Sequence, residues 1–259
     1  LDGRLRPVNG VLAAAMEARR RSFDAILVPR ENAAEAAVAG LRVLSAKTLR
    51  HAAYLIAEDW DGMAQEEPSV TTKMEQQMVG DYADVVGLPA VVAALEIAAA
   101  GRHNLLLLGP PGSGKTMLAR RLPSILPPLS ENEALEVTEI HSVAGLLPQG
   151  SALVGLPPFR APHNTVSPAA LFGGGRPVRP GEVTLAHRGV LFLDEFPELS
   201  RSAREGLRAP LCDQQLTVSR YGQNTSFPAD FQLVAAANPC PCGYLGDSER
   251  ACTCTEHRR

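Results

Sequence analysis

An α/β fold is predicted: a parallel sheet with helices on both faces, built behind a glycine-rich loop and preceded by a smaller, partial α/β block. Three observations predict it. Leu105–Leu108 is a run of four apolar residues followed by Gly109-Pro110-Pro111-Gly112-Ser113-Gly114-Lys115-Thr116, with a helical MLARRL directly behind. Val190–Leu193 is a second apolar run, and it ends in the carboxylates Asp194 and Glu195. Residues 1–57 alternate short apolar runs with Ala-rich helical stretches, the pattern of an α/β layer.

A chain of 259 residues with 45% hydrophobic side chains can bury one large core or two modest ones. The net charge of −3 excludes a whole-surface field for nucleic acid, so any such contact must be local. No apolar run approaches the roughly 18 residues of a membrane span. No signal-peptide pattern opens the sequence, and Leu1 in place of Met is expected of a stretch that begins inside a longer protein. Four of the five cysteines crowd near the C-terminus, unlike an extracellular disulfide framework, and a cytoplasmic setting is expected.

In order along the chain, Arg4–Val8 reads as a strand, Val11–Arg21 as a helix and Ala25–Val28 as a strand closed by Pro29. Glu31–Ala39 is helical up to Gly40, Leu41–Leu44 is a strand, and Thr48–Ala57 is a helix. This block carries 9 basic and 5 acidic side chains, which most simply form a solvated face. Glu58–Gly80 is polar, without apolar periodicity, and is expected to be a linker. The second domain is expected over 81–259. Pro89–Ala100 is a helix with Pro near its start and Gly101 after its end. Glu136–His141 alternates like a strand, and 144–181 is a long Gly- and Pro-rich excursion of the kind that is functional or mobile. Val183–Ala186 reads as a short helix and Ser202–Leu211 as a longer one. Leu216–Tyr221 and Thr225–Phe227 are expected to pair as a hairpin around Gly222-Gln223-Asn224, and Phe231–Ala237 is the last strand.

The glycine-rich stretch has the spacing G-x-x-x-x-G-K-[ST] between a strand and a helix, the context of a phosphate-binding loop. Gly112 and Gly114 allow consecutive N–H groups to turn inward around phosphate, and the helix behind adds its positive end. Lys115 would reach the β- and γ-phosphates of ATP, and the Thr116 hydroxyl would hold Mg²⁺. Asp194 and Glu195 fit a Walker B pair, with Asp194 toward Mg²⁺ and Glu195 polarising the attacking water. Asn238 ends the last strand in the same way and suits a polar sensor of the γ-phosphate. Cys240, Cys242, Cys252 and Cys254 form a C-x-C…C-x-C set whose four thiolates suit a structural Zn²⁺, with His257 as an alternative ligand. The isolated Cys212 is expected to pack rather than react. Arg160, Arg176, Arg179 and Arg220, two of them beside Phe159 and Tyr221, would let projecting loops track a nucleic-acid backbone.

AAAGRHNLLLLGPPGSGKT, PFRAPHNTVSPAALFGGG, RPGEVTLAHRGVLFLDEFPE, LTVSR and AAANPCPCGY together resemble the Mg-chelatase-like AAA+ ATPases, in particular the ComM/YifB group. The resemblance implies an AAA+ core with a helix-2 insert at 159–180 and a pre-sensor-1 hairpin at Leu216–Phe227. It also implies a hexameric ring that hydrolyses ATP between subunits, acting as a DNA helicase that promotes branch migration in transformation and recombination. The alternative within reach of the same motifs is an ATP-driven remodeller of a protein or metal-chelation complex. Gly3–Asn32 resembles the C-terminal half of a Lon-type protease domain of ribosomal-S5-like fold, with Ala14 where that family carries its catalytic Lys. The block is therefore expected to be inactive as a peptidase. The family usually has Gly-Gln where this sequence has Gly87-Leu88, and its arginine finger and helical lid follow the cysteine cluster, beyond Arg259. This stretch by itself is expected to bind nucleotide and turn it over weakly.

Overall fold

In the computed structural model, which describes residues 2–57, 80–147, 153–220, 223–246 and 250–256 (without the side chains of Arg220 and Gln223), the first helix α1, Val11–Arg20, follows Gly10 at φ 80°. Strand β1 (Ala25–Pro29), helix α2 (Ala33–Ala37), strand β2 (Arg42–Ala46) and helix α3 (Leu49–Ala57) complete the N-terminal block. The strands β1 and β2 pair in parallel, Leu27 opposite Leu44. Val11, Leu12 and Ala15 of α1 pack with Val28, Ala36 and Ala39 into a small core. The strand expected at Arg4–Val8 is reduced to a single bridge from Arg4 to Thr48, because Pro7 has no N–H to give to a ladder. Ala14 is exposed on α1. The expected linker, apart from Gly80, lies outside the described residues.

The chain divides into two units, Leu1–Glu75 with Leu129–Leu156, and Gln76–Pro128 with Pro157–Arg259. The stretch 129–156, expected within the second domain, thus belongs with the N-terminal block. Its helix α6, Glu131–Ala144, replaces the strand expected at Glu136–His141. The reason is local. Ser130 and Glu133 form a reciprocal capping box, and Gly145 at φ 72° ends the helix. The apparent alternation conceals a helical stripe in which Ala134, Val137, Thr138 and His141 are all buried. Gly10 N–H donates to Ser142 O at 3.1 Å, and Glu35 joins the two stretches from a nearly buried position. Its Oε1 accepts from the Leu12 N–H at 2.9 Å and from the Ser142 hydroxyl, and its Oε2 accepts from Asn32 Nδ2 at 3.0 Å. Lacking a side-chain cap of its own, α1 thereby receives a carboxylate at its positive end.

In the second unit, α4 (Pro89–Gly101) leads into β3 (Leu105–Leu108), and α5 (Lys115–Arg121) follows the glycine-rich loop. Strand β4 (Phe159–Arg160), helix α7 (Pro168–Phe172), the short antiparallel pair β5 (Gly173–Gly174) and β6 (Arg179–Pro180), and helix α8 (Glu182–Leu185) structure the long excursion. Strand β7 (Val190–Leu193), helices α9 (Arg201–Gly206) and α10 (Arg208–Asp213), the hairpin β8 (Gln215–Arg220) and β9 (Gln223–Pro228), and β10 (Gln232–Ala237) complete the unit. Arg220 pairs with Gln223, so Gln223 and Asn224 lie in the strand rather than in the expected turn.

The sheet runs β3-β10-β7-β4, all parallel. Every residue of β7 and β10 is buried, as strands covered on both faces must be. On one face Phe192, Val234 and Ala236 pack on Leu95 of α4 and on Leu118 and Leu122 behind the loop. On the other, Leu191, Leu193 and Leu233 pack on Leu171, Val183, Leu207 and the hairpin residues Leu216 and Val218. The register sets Ala237 beside Leu108 and Ala235 beside Leu193, which brings the carboxyl ends of β3, β7 and β10 together. No described helix is long and apolar enough to cross a membrane.

Candidate functional site

Because the carboxyl ends coincide, the residues just past them converge, as is usual for ligand sites in open α/β sheets. A cleft of about 1060 Å³ opens there, lined among others by Leu108, Asn164, Glu195, Asn238 and Cys240. Gly112 and Gly114 stand at φ 79° and 85°, which lets the loop turn back before α5 begins at Lys115. The Lys115 ammonium donates to Gly109 O at 2.8 Å, Pro110 O at 2.9 Å and Asn238 Oδ1 at 3.1 Å. All three of its N–H groups have acceptors, and phosphate oxygens are the natural partners to take their place. Thr116 Oγ1 donates to Asp194 Oδ2 at 2.7 Å, so the two groups expected at Mg²⁺ face one another. A hydroxyl and a carboxylate beside a phosphate loop are the oxygen donors that Mg²⁺ takes, and the residues present fit that ion.

Glu195 adopts the left-handed conformation, φ 48°, and its N–H donates to Asp194 Oδ1 at 2.9 Å. Sequence reasoning missed its partner. Asn164, four residues beyond β4, donates from Nδ2 to Glu195 Oε2, while its own Oδ1 is buried without a partner among the described residues. The available signal was the position of Asn164 just past a short strand, which the Gly- and Pro-rich character of the excursion obscured.

Beyond Asn238 the chain enters the cysteine cluster. All four sulfurs lie within 4.8 Å of one another, with Cys240 3.3 Å from Cys242 and 3.7 Å from Cys252, and Cys242 3.6 Å from Cys252. A tetrahedron of Zn–S bonds has S···S edges of about 3.8 Å, so the set fits Zn²⁺. Backbone N–H groups of Tyr244 and Thr253 point at the Cys242 sulfur and pull its thiol pKa down to about 5, while burial and the neighbouring thiols push that of Cys254 up to about 11. His257 lies outside the described residues. Cys212, expected to pack, is exposed on α10.

The expected basic track is altered. Arg160 is tied bidentately to Glu182, at 2.6 and 2.8 Å, and so is engaged inside its own unit. Arg176 and Arg179 are exposed, while the Arg220 side chain and Tyr221 lie outside the described residues.

A parallel sheet with a phosphate loop after its edge strand, an Asp-Glu pair after its centre and helices on both faces defines a P-loop nucleotide-binding domain of the AAA+ kind. The family model for magnesium chelatase, subunit ChlI, matches residues 81–259, and the chain belongs to that family. It is 49% identical over its whole length to an uncharacterized protein of Mycobacterium tuberculosis, covering 51% of that protein. It is 42% identical to YifB of Escherichia coli over 98% of this chain and 49% of the relative. It is 41% identical to the competence protein ComM of Haemophilus influenzae over 96% of this chain and 50% of the relative. Within the family it therefore falls in the ComM/YifB group, and it spans about half the length of these curated relatives.

Proposed function

We propose that the chain is the ATP-binding and ATP-hydrolysing core of a ring-forming motor, a hexamer whose work is done on single-stranded or branched DNA. The observation that carries the ATPase reading is the convergence of Lys115, the Thr116–Asp194 pair, Glu195 and Asn238 at one end of a parallel sheet. In this reading Lys115 and the loop N–H groups bind the phosphates, and Thr116 and Asp194 would hold Mg²⁺. That ion, when bound, neutralises charge between the β- and γ-phosphates. Glu195 would orient and polarise the water, and Asn238, which accepts from Lys115, would sense the γ-phosphate. The four cysteines hold a structural Zn²⁺. Likeness to a competence protein over nearly the whole chain supports DNA as the substrate. Arg176 and Arg179, exposed on the excursion, are candidates for phosphate contact.

The match to the magnesium chelatase subunit favours one second reading, an ATP-driven remodeller of a protein or metal-chelation complex. ATPase rates of the full-length protein, with and without single-stranded and branched DNA at two salt concentrations, separate the two. Stimulation that weakens as salt rises is expected of a motor whose phosphate contacts release counterions. Turnover indifferent to every DNA sinks the DNA reading and leaves the remodeller.

A further inference from the structure

The cysteine cluster lies against the nucleotide site. Two residues after Asn238 accepts from Lys115, Cys240 is buried and helps to line the cleft. The chain then turns, Gly243 N–H donating to Cys240 O at 2.9 Å, with Gly243 at φ 86°. That turn rests on the phosphate loop. A Cβ at Gly243 would come within 2.5 Å of Pro111 Cδ and 2.8 Å of Pro111 Cγ. One short segment thus touches the sensor strand at one end and the phosphate loop at its bend.

The sulfurs and one exposed side-chain pair, Arg250 donating to the Tyr244 hydroxyl at 2.8 Å, tie the two stretches of this segment together. No described residue from Pro239 to Glu256 lies in a helix of more than one turn or in a strand, and among them only Cys240 and Gly243 are buried. Cys252 and Cys254, 10 residues or more further along the chain, meet Cys240 and Cys242. Closing such a loop costs entropy that a metal bound by both pairs offsets directly.

Resting on the Zn²⁺ assignment proposed above, we propose that the metal-bound cysteine cluster, with its Cys240–Gly243 turn, is a brace that holds Pro111 and Asn238 in their nucleotide-binding positions, so that metal occupancy sets nucleotide affinity. A phosphate loop that is competent for only a tenth of the time binds roughly tenfold more weakly, without any change in its own residues.

The test uses the full-length protein and two readouts, zinc per chain by mass spectrometry and affinity for a fluorescent ATP analogue. Zinc at one per chain is expected. Removing it by chelation, or with Cys252→Ser and Cys254→Ser together, should weaken nucleotide binding about tenfold. Gly243→Ala is the variant that leaves every ligand in place. It should keep its zinc yet lose affinity, and adding Pro111→Ala, which removes the ring atoms it meets, should restore part of the loss. Zinc bound stoichiometrically with nucleotide affinity unchanged by chelation and by Gly243→Ala would overturn the brace and leave the metal assignment standing. A protein that neither carries nor takes up zinc would overturn both. If the double cysteine variant does not fold, as judged by circular dichroism, Gly243→Ala and its Pro111→Ala partner decide the question.

Discussion

At φ 48°, Glu195 occupies a region that costs an L-residue roughly 1–2 kcal/mol. Glu195 also lines the cleft, and strained backbone tends to collect at functional sites. Glu195→Gln should retain ATP and lose about 10²–10⁴-fold in hydrolysis, the usual contribution of a positioned base. Wild-type phosphate release from that variant would refute the assignment. Lys115→Ala should abolish nucleotide binding in the same fluorescence titration. Asn164 makes a sharper case. Its amide occupies one oxygen of the carboxylate proposed to polarise the water, and a hydrogen bond to a charged group contributes about 1.5–3 kcal/mol. Asn164→Ala should therefore raise the basal turnover measured without DNA by roughly tenfold. A fall instead would mean that Asn164 positions the base rather than competing for it.

Among the elements, α6 is held to the N-terminal block by polar groups that a sequence pattern does not advertise. Glu35 accepts from Leu12, Ser142 and Asn32 while nearly buried, and its loss leaves all three donors without that acceptor. Glu35→Ala should cost about 3 kcal/mol, visible as a lower thermal midpoint, whereas substitution of the exposed Glu31 should not. What was legible in the sequence follows the same division. The phosphate loop, the Walker pair and the buried strands β7 and β10 were readable because glycine spacing and apolar runs are local signals. The capping box at Ser130 and Glu133 was local too, yet the alternation of Glu136–His141 masked it. Asn164, Glu35 and the contact of Gly243 with Pro111 join residues distant in sequence. No window of sequence holds both partners, so only the folded chain reveals them. The tie of Arg160, in β4, to Glu182 is the converse, a basic side chain in the excursion whose acidic partner lies 22 residues further along the chain.

For the whole molecule, the unit boundaries matter more than the expected division at 58–80. The N-terminal unit is built from two stretches, and the second of them, 129–156, lies between the phosphate loop and β4 in sequence. Cutting the chain at a protease site placed between residues 58 and 80 should not release the N-terminal piece. The Gly10–Ser142 and Glu35–Ser142 bonds and the buried stripe of α6 should hold it, so that both fragments elute together in gel filtration. Fragments that separate would show that α6 docks too weakly to count as part of that unit. The same arrangement bears on descent. A block assembled from two separated stretches cannot be acquired or discarded by a single recombination at its edge. Lineages that keep the first stretch should keep a helix equivalent to α6, and those that lost the first should show the second eroded to a short connection.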